Sequence, residues 1–548
     1  MEKLKPMLWS VMKGYTKEQF VKDVIAGIIV AIIALPLSIA LALASGVTPE
    51  MGIYTAITAG FVISFLGGSR VQIAGPTAAF ATIVAGIAAQ NGIEGLALAT
   101  VMAGIILILM GVCRMGSLIK YIPYTITTGF TAGIAVTIFV GQIKDFLGLS
   151  VVSEEPLIET MDKLMADIHF IHTINIQAVI VGAVCLAILI VWPKINDKIP
   201  PSLLAVIAGI VMVKGLGLQV NTIGDLYTIS NKLPGLTIPS FSFKMVQTLL
   251  PDAFTIAILA AIESLLSCVV ADGMINSRHR SNMELVAQGA GNITSALFGG
   301  IPATGAIART AANIKNGGRT PIAGMVHAVT LLLILIVLMP YAALIPMPTI
   351  AAILFIVAYN MSEWRKFVYL VKTAPKSDII VLVLTFVLTV VFDLVVAIEV
   401  NMVLASMLFM KRMSEETEVA GWKYIDDEND PDSINLRTVP KNIRVYEMSG
   451  PLFFGAADKI ADIRTKDFNN CLILRMRSVN AIDATAMHAL EMLWEKCQRQ
   501  HVTLIFSHVN EQPMAAMKKS GLYDKVGAEN FCVHIDDALA RGAALGRK

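Results

Sequence analysis

Long apolar runs separated by short polar segments dominate the chain from Asp23 to Met410. A helix needs about 20 mostly apolar residues to cross the hydrocarbon core of a bilayer. The region holds about fourteen candidate runs, some of them shorter because they are broken or packed inside a bundle. The pattern predicts a polytopic α-helical membrane protein, with a polar N-terminal segment at residues 1–22 and a membrane domain at residues 23–412.

Two interruptions of these runs, Gly75–Ala78 and Pro302–Gly305, occupy corresponding places in the two halves of the membrane domain. Their prolines lie 30 positions after Gly46 and 29 positions after Gly273, and each interval contains a helix-length run that ends at a Gly-Gly pair. Lipid cannot satisfy the free amides of a broken helix, so such breaks occur only beside protein or a water-filled cavity. Paired breaks indicate inverted repeats with a transport site between them, although Gly and Pro are also common in ordinary membrane helices.

Composition and charge agree with a membrane location. Hydrophobic residues make up 55% of the chain and charged residues 15%, with a mean hydropathy of +0.70, whereas soluble proteins carry about 25% charged residues. If the first run leaves the cytoplasm and the spans alternate, fifteen cations fall in inside loops and five in outside loops. This imbalance follows the positive-inside rule. It predicts an even number of spans in the plasma membrane, with both termini in the cytoplasm.

The polar and reactive residues give no sign of an enzyme. The six cysteines and eight histidines are scattered, and none stands at metal-ligand or disulfide-framework spacing. No phosphate loop or nucleophile-base motif is present in the sequence, and no basic block indicates a nucleic-acid partner. We therefore expect no catalytic residues, no metal and no cofactor.

The composition changes abruptly after Lys411. The polar, acidic stretch 413–432 predicts a linker. Residues 433–548 alternate between strand-like and helix-like segments, which predicts a small α/β domain. The predicted strands are Ile443–Met448, Cys471–Met476 and Thr503–His508, and the predicted helices are Thr485–Gln498 and Gln512–Lys519.

Thr485 is the candidate regulatory residue of this C-terminal domain. It stands between a predicted strand and a predicted helix. In that position it can cap the helix N-terminus, which is the structural interpretation, or it can be a site of phosphorylation. The domain is also the natural place for a cytoplasmic protein partner to bind.

The two breaks also predict an anion-binding site. In an inverted repeat, the helices that begin near Pro76 and Pro302 run in opposite directions, so their N-termini meet near the midplane. Each N-terminus carries about half a positive charge, and free amides at such ends bind anions. The candidate donors are the hydroxyls of Thr77 and Thr304 and the amides of Ala78, Ala79 and Gly305, where small side chains permit close approach.

Arg309 is a candidate to add positive potential to this site. It lies two helical turns beyond Pro302, among Ala, Ile, Thr and Gly residues. An arginine at membrane depth costs at least about 2.5 kcal/mol on insertion scales, so an idle one is disfavoured. The alternative is a side chain that reaches the cytoplasmic face, as Lys315 and Arg319 are expected to do.

Glu263 is the candidate for coupling to a cation. It is the one carboxylate inside the run Asp252–Ala271, and Ser267 follows it by one helical turn. Burial disfavours the charged form of a carboxylate, so Glu263 suits a group that takes up a proton on one side and releases it on the other. The same pair can instead hold Na⁺, although few hard oxygen ligands are available. A structural salt bridge to Arg309 is the third interpretation.

Five motifs spread along the chain resemble those of one known family. They are Leu35–Ala42, Ile73–Ala78, Glu263–Leu266, Pro302–Thr310 and Ile482–Ala486. On these residues the chain is similar over nearly its full length to the sulfate permease (SulP) family of anion transporters, which end in a cytoplasmic STAS domain. The resemblance implies 14 spans arranged as seven plus seven inverted repeats, divided into a core domain and a gate domain that move as an elevator. It also implies a homodimer.

The resemblance implies roles for individual residues as well. In relatives the anion lies between the two broken helices, which corresponds here to Thr77, Ala78, Ala308 and Arg309. A carboxylate at the position of Glu263 couples transport to a cation.

Two departures from the family pattern qualify these roles. Sodium-coupled bicarbonate members typically have Asp and Thr where this chain has Glu263 and Ser267, which favours a proton here. STAS relatives in sigma-factor control carry a phosphorylated residue in the loop that corresponds to Thr485, but Ala486 replaces the usual Gly.

Together these observations predict a secondary active transporter of small oxyanions, with sulfate and proton symport as the leading interpretation. Bicarbonate and C4-dicarboxylates, coupled to H⁺ or Na⁺, remain alternatives, because helix N-termini recognise negative charge in general. An uncoupled anion channel or exchanger, and a scaffold that acts through the C-terminal domain, are alternatives of other kinds. The expected partners are the anion, the coupling ion, membrane lipid, a second copy of the chain and a cytoplasmic protein.

Overall fold

A computed structural model describes most of the chain as two compact units, which divide between residues 402 and 403. The first unit is almost entirely helical, and the second contains an α/β sheet. Most of the predicted linker at 413–432 lies outside the described residues. These are 4–117, 124–152, 157, 159–196, 199–229, 232–240, 242–391, 400, 403–404, 406–411, 413, 418–421, 439–440, 442–453, 457–463 and 470–545.

Seventeen α-helices, α1 to α17, are described in the first unit. In chain order they are Met7–Val11, Lys17–Ala44, Pro49–Leu66, Ala81–Val112, Tyr124–Gly141, Ile143–Leu147, Thr160–His169, Ile176–Ile195, Pro201–Leu216, Ile223–Leu226, Phe243–Ile275, Ser281–Leu297, Ile307–Lys315, Ile322–Ala342, Met347–Ser362, Trp364–Thr373 and Lys376–Val391.

Local signals in the sequence set several helix ends. Thr16 precedes α2 and accepts a hydrogen bond from the Gln19 amide at 3.2 Å, as an N-cap residue does. Helix α3 begins with Pro49, whose missing N–H is not needed at a first helical position. Helix α9 ends at Gly217 in the left-handed conformation, with φ of 63°.

Seven of the described helical stretches are long and apolar enough to cross a membrane. Other apolar helices, such as α9, α15 and α17, are shorter, and the last predicted run extends into residues outside the description. The count of fourteen spans therefore stays a prediction. The seven stretches are Lys17–Ala44, Pro49–Leu66, Ala78–Val112, Tyr124–Leu147, Ile176–Ile195, Phe243–Ile275 and Ile322–Ala342.

The helices of the first unit pack into two groups. Helices α2 to α4 and α11 to α14 pack mainly on one another, whereas α5 to α9 pack with α15 to α17. Each group draws helices from both halves of the chain. This is the division predicted for a core domain and a gate domain.

The two halves follow the same order of elements. Helices α2 and α3 lead to strand β1 (Ala74–Gly75) and α4, and helices α11 and α12 lead to strand β2 (Thr304–Gly305) and α13. Strands β1 and β2 are antiparallel, so the halves run in opposite directions where they meet, as predicted for inverted repeats. Neither of the helices that follow is one long continuous span. Gly92 interrupts α4 with φ of 69°, and α13 is short, with 9 residues.

Helices α4 and α12 approach closely because glycines line their contact. A Cβ added to Gly104 would lie 2.7 Å from the Gly289 carbonyl oxygen, and one added to Gly289 would collide with the Gly104 carbonyl oxygen in turn. Gly111 lies two turns further along α4, where an added Cβ would lie 2.6 Å from the Val286 side chain. Small residues let helix backbones approach within lipid, where packing drives helix association.

The second unit contains a five-stranded sheet in the order β3-β4-β5-β6-β7. Strands β4 to β7 are parallel, and β3 is antiparallel to β4. Strand β3 lies within the segment predicted as a linker, so the sheet begins before residue 433. The strands are Glu418–Gly421, Ile443–Ser449, Cys471–Ser478, Thr503–Ser507 and Phe531–Cys532.

Helices cover both faces of this sheet. Successive residues of β5 point to opposite faces, so Leu472 belongs to a cluster with Leu490, and Ile473 to one with Ile535. Every strand and helix predicted in this domain is present, with ends shifted by at most two residues. The described helices, α18 to α22, are Ala457–Ala461, Ala484–Arg499, Glu511–Ser520, Leu522–Val526 and Ile535–Leu545.

Replacing Gly104 by Ala is expected to lower the melting temperature of the detergent-solubilised protein by a few degrees, because the new methyl group pushes α4 and α12 apart. Gly86→Ala in the same helix is the matched control, since an added Cβ there meets nothing within 4 Å. At both positions the change from Gly to Ala also favours the helical state by about 1 kcal/mol. Equal melting temperatures for the two variants would show that the close contact does not limit stability.

Candidate anion-binding site

The two breaks lie side by side because their extended residues pair as β1 and β2. The register places Ala74 opposite Gly305 and Gly75 opposite Thr304. All four residues are buried, so the pairing engages backbone groups that lipid cannot satisfy. The paired strands join the two halves of the chain at the point where each half starts a broken helix.

A helix begins shortly after each of these strands. After β1, Thr77 is extended and a 3₁₀ turn at Ala78–Phe80 leads into α4. After β2, Ala306 is extended and α13 begins at Ile307. Neither N-cap residue, Thr77 before the 3₁₀ turn or Ala306 before α13, makes a capping hydrogen bond with its side chain, so the first amides are not satisfied in this way. Such uncapped starts carry the partial positive charge of a helix N-terminus.

Arg309 is buried and ties the second break to the first. Because residues 302–306 are not helical, Arg309 lies in the first turn of α13 and not two turns into a helix. It is 3% exposed, and its Nη2 donates to the Pro76 carbonyl oxygen at 2.7 Å. Its Nη1 is buried and has no hydrogen-bond partner among the described residues. The guanidinium is therefore enclosed within the protein and does not extend to its surface, and it keeps one donor nitrogen unused beside Gly75.

Glu263 lies on α11 against the first break. The Thr77 hydroxyl donates to Oε2 of Glu263 at 3.0 Å. Glu263 and Arg309 thus bond to Thr77 and Pro76, respectively, and not to each other. The salt bridge considered from the sequence is absent from the described structure, and the carboxylate contacts a predicted substrate donor instead.

The remaining predicted site residues have different surroundings. The Thr304 hydroxyl is buried and donates to the Ala260 carbonyl oxygen at 3.0 Å, so its single proton is engaged within the protein. The Ser267 hydroxyl lies 3.4 Å from the Thr310 hydroxyl, which links α11 to α13. Ala308, in the first turn of α13, is exposed, whereas Ala78 and Ala79 are buried.

A buried carboxylate that the sequence analysis did not single out supports the first break. Glu284 on α12 accepts hydrogen bonds from the Gly68 and Ser69 amides at 2.8 and 3.1 Å, and from Gln72 and Gln288 at 2.8 and 2.9 Å. Four donors compensate for the loss of water around a buried charge. The signal was present in the sequence, because a carboxylate within a membrane helix is unusual.

Asn292 and Thr55 hold the second break in a similar way. Asn292 on α12 accepts from the Ala303 amide and donates to the Ala303 carbonyl oxygen, both at 2.8 Å. Thr55 on α3 accepts from the Ile301 amide at 2.7 Å. Side chains from both halves of the chain therefore fix the extended residues before β2.

Two further features near the breaks were not evident from the sequence. The Gln72 side chain packs so closely on Gly305 that a Cβ would not fit there. His327 on α14 is fully buried, and neither ring nitrogen has a hydrogen-bond partner within the described part of the chain. Neither residue belongs to a recognisable motif, because both depend on how distant segments meet.

Thr485 does not cap its helix, so the predicted cap was wrong. Helix α19 begins at Ala484, and the Asp483 carboxylate accepts the capping bond from the Ala486 amide at 2.8 Å. The helix starts one residue earlier than the sequence indicates, which places Thr485 inside its first turn. Thr485 is exposed, so its hydroxyl is accessible from solvent in this unit.

Comparisons with known proteins identify the family of the chain. A family model of the sulfate permease family matches residues 20–385, and a model of the STAS domain matches residues 434–538. The chain is 41% identical over 531 residues to a putative sulfate transporter, YvdB, of Bacillus subtilis, which covers 96% of this chain and 98% of that protein. It is 30% identical over 548 residues to the bicarbonate transporter BicA of Picosynechococcus, which covers 96% of this chain and 94% of that protein.

Solved structures share the same fold. The structure of SLC26A9 matches with a TM-score of 0.87 at 18% identity, over 99% of this chain and 93% of that chain. The transmembrane domain of a cyanobacterial BicA matches with a TM-score of 0.63 at 28% identity, over 72% of this chain and 98% of that chain. Because the sulfate permease model matches more than half of the sequence, the chain belongs to the sulfate permease family and ends in a STAS domain.

Proposed function

We propose that the protein is a secondary active transporter of small oxyanions, with sulfate as its leading substrate and proton symport as its mode of coupling. The observation that carries the proposal is Nη1 of Arg309, a buried donor without a partner among the described residues. It lies near two helix starts whose N-cap residues, Thr77 and Ala306, make no side-chain capping bond. A buried cation without a counter-charge is unfavourable, and an oxyanion supplies both the missing acceptor and the missing negative charge.

The proposed substrate site combines charge with small side chains. Arg309 provides the positive charge, and the uncapped turns provide amide donors. Thr304 fixes β2 through its bond to Ala260, whereas the Thr77 hydroxyl can turn toward the anion. The proposed substrate-binding residues are Thr77, Ala78, Ala79, Thr304, Gly305, Ala308 and Arg309.

The identity of the anion is supported by the named relatives. The relative that is 41% identical is called a putative sulfate transporter, and sulfate accepts hydrogen bonds at all of its oxygens. The relative that is 30% identical is called a bicarbonate transporter, which makes bicarbonate the second candidate. C4-dicarboxylates are the third, because guanidinium and amide donors recognise carboxylate as well as sulfate oxygens.

We place proton coupling at the hydrogen bond between Thr77 and Glu263. An ionised Glu263 accepts the one hydroxyl proton of Thr77, which is then not available to a substrate. A protonated Glu263 can donate to Thr77 instead, and this frees the Thr77 proton for the anion. Protonation also removes a negative charge from the site. Proton and anion therefore bind with positive cooperativity, and Ser267 supports the coupling residue from the next turn of α11.

The movement of the helices, the membrane topology, the oligomeric state and the regulation of the protein are part of the same proposal. The helix group that holds both breaks is distinct from the group formed by α5 to α9 and α15 to α17, which supports an elevator movement of one group against the other. We propose fourteen spans in the plasma membrane, both termini in the cytoplasm, a homodimer, and regulatory phosphorylation at Thr485. The proposed segments are 1–22, 23–412 and a C-terminal domain that comprises residues 433–548 together with β3 (Glu418–Gly421) from the segment first predicted as a linker.

The test is uptake by the full-length protein in liposomes. An inward proton gradient should drive accumulation of radiolabelled sulfate, and collapse of that gradient should abolish it. Parallel measurements with bicarbonate and succinate, and with an imposed Na⁺ gradient, distinguish the alternative substrates and coupling ions. Flux that follows only the anion gradient would indicate a channel or exchanger. Absence of flux, with function that depends on residues 433–548, would indicate a scaffold.

Replacing Arg309 by Ala is expected to raise the KM for the anion about 10- to 100-fold, because hydrogen bonds to a charged group contribute about 1.5–3 kcal/mol. Arg309→Lys should recover part of the affinity, since it restores the charge without the fork of donors. Initial rates of uptake over a range of anion concentrations measure the effect.

Lys315→Ala is the matched control for Arg309, because Lys315 is an exposed cation on the same helix. It should leave KM unchanged. Wild-type KM and maximal rate in Arg309→Ala would remove Arg309 from the site, provided that the variant melts at the wild-type temperature.

Replacing Glu263 by Gln is expected to abolish accumulation against a gradient while anion binding persists. The Gln amide can donate to Thr77 as a protonated Glu does, but it cannot release a proton. Thr77→Val is the companion variant, and it should weaken anion binding at every pH because the switchable hydroxyl is gone. Proton-driven accumulation that survives in Glu263→Gln would place the coupling elsewhere.

A further inference from the structure

We infer that the first unit contains a second anion site, a cationic cavity that binds a phosphate-bearing ligand away from the two breaks. The cavity has a volume of about 670 Å³. It lies where the N-terminal segment, including α1, meets the polar segments that follow α3, α11 and α13. None of the proposed substrate-binding residues lines it.

The cavity wall concentrates positive charge. No carboxylate is among the described residues that line it, whereas serine, threonine, asparagine and glutamine side chains supply further polar groups. A cluster of like charges in a concave site repels itself and attracts anions. The five cationic residues of the wall are Lys13, Arg70, Arg278, Arg280 and Arg319.

Carboxylates close to the wall are engaged by other groups. Asp23 accepts hydrogen bonds from the Tyr15 hydroxyl at 2.9 Å and from the Thr320 hydroxyl at 2.6 Å. Asp272 contacts His279 Nδ1 at 2.7 Å. These bonds satisfy the carboxylates without direct ion pairs to the arginine side chains of the wall.

Two of the arginines are held in place by carbonyl oxygens. Arg280 donates through Nη1 to the Lys5 carbonyl oxygen at 2.8 Å and through Nη2 to the Ser10 hydroxyl at 2.8 Å. Arg319 donates to the Ile314 carbonyl oxygen at 2.8 Å. Such bonds orient a guanidinium but leave its charge without a counter-ion.

The other three cations have unused donors. The side chains of Lys13, Arg70 and Arg278 make no hydrogen bond or ion pair within the described residues. Nε of Arg70 is in addition buried without a partner, and a buried donor of this kind needs an acceptor. Because the unused donors belong to three different segments, one ligand that accepts from all of them would join the N-terminal segment to the ends of α3 and α11.

A phosphate group fits this chemistry. It carries up to two negative charges and several acceptor oxygens, and arginine binds phosphate through two parallel hydrogen bonds. The cavity has room for a glycerophosphate as well as for inorganic phosphate. The ligand is therefore the headgroup of an anionic phospholipid or a soluble phosphate compound, and the same residues would bind either.

The experiment compares the full-length protein with two triple variants of equal charge. The cavity variant combines Lys13→Gln, Arg70→Gln and Arg278→Gln. The control variant combines Lys315→Gln, Arg365→Gln and Lys372→Gln, three exposed cations that do not line the cavity. Arg278→Gln alone is the milder variant if the triple one folds poorly. Melting temperature and sulfate uptake report whether each protein is folded.

The lipid arm measures retention of phosphatidylglycerol and phosphatidylcholine by native mass spectrometry, after extraction from vesicles that contain both. The soluble arm measures the shift in melting temperature on titration with inorganic phosphate and with glycerol 3-phosphate. We expect the wild type and the control variant either to retain anionic phosphatidylglycerol in preference to zwitterionic phosphatidylcholine or to be stabilised by the soluble phosphate compounds, and the cavity variant to bind that anionic probe about tenfold more weakly. Higher salt should weaken binding, because these charges are partly exposed.

The two arms identify the source of the phosphate. If the cavity variant alone loses phosphatidylglycerol in the lipid arm, the ligand is a phospholipid headgroup. If the cavity variant alone loses the thermal shift in the soluble arm, the ligand is a soluble phosphate compound. Phosphate that binds only between the two breaks would stabilise all three proteins equally. Equal retention and equal thermal shifts across the wild type and both variants would overturn the inference.

Discussion

Lipid cannot hydrogen-bond a peptide group, and this constraint governs the centre of the membrane domain. Each break would be costly alone, but β1 and β2 pair with each other across the two halves of the chain. Hydrogen bonds from side chains also run between the two halves. Glu284 of the second half holds the residues before β1, and Thr55 of the first half holds Ile301 before β2. The two breaks are therefore held together by hydrogen bonds that run between the two halves of the chain.

The number of hydrogen-bond donors around a carboxylate distinguishes the structural role of Glu284 from the switching role proposed for Glu263. Glu284 accepts from four groups, which stabilises the ionised form and fixes the backbone around it. Within the described part of the chain, Glu263 accepts from one hydroxyl, that of Thr77. A carboxylate with one donor, at the edge of a buried site, can change its protonation with little rearrangement. Both residues lie within helices of the membrane domain, so position alone would not have told them apart.

The sequence alone was sufficient to predict the features that depend on local residue patterns. Apolar runs located the helices, and Gly-Pro breaks located β1 and β2. Strand and helix alternation gave the C-terminal domain. Features that depend on long-range contact were missed or misplaced: Arg309 lies in the first turn of α13 because residues 302–306 are not helical, and Asp483, rather than Thr485, caps α19. Glu284 was visible as a carboxylate within the membrane domain, but its four donors come from segments more than 200 positions away and from its own helix.

Preorganisation explains why Arg309 suits an anion better than a flexible cation would. Its bond to the Pro76 carbonyl oxygen fixes the guanidinium plane, so the unused Nη1 is oriented before any ligand arrives. Donors that are already in place avoid the entropic cost of ordering on binding. The bond also crosses from the second half to the first, which makes the charge of the site depend on the alignment of both breaks. At the proposed site, binding of an anion to Arg309 would therefore stabilise the alignment of the two breaks.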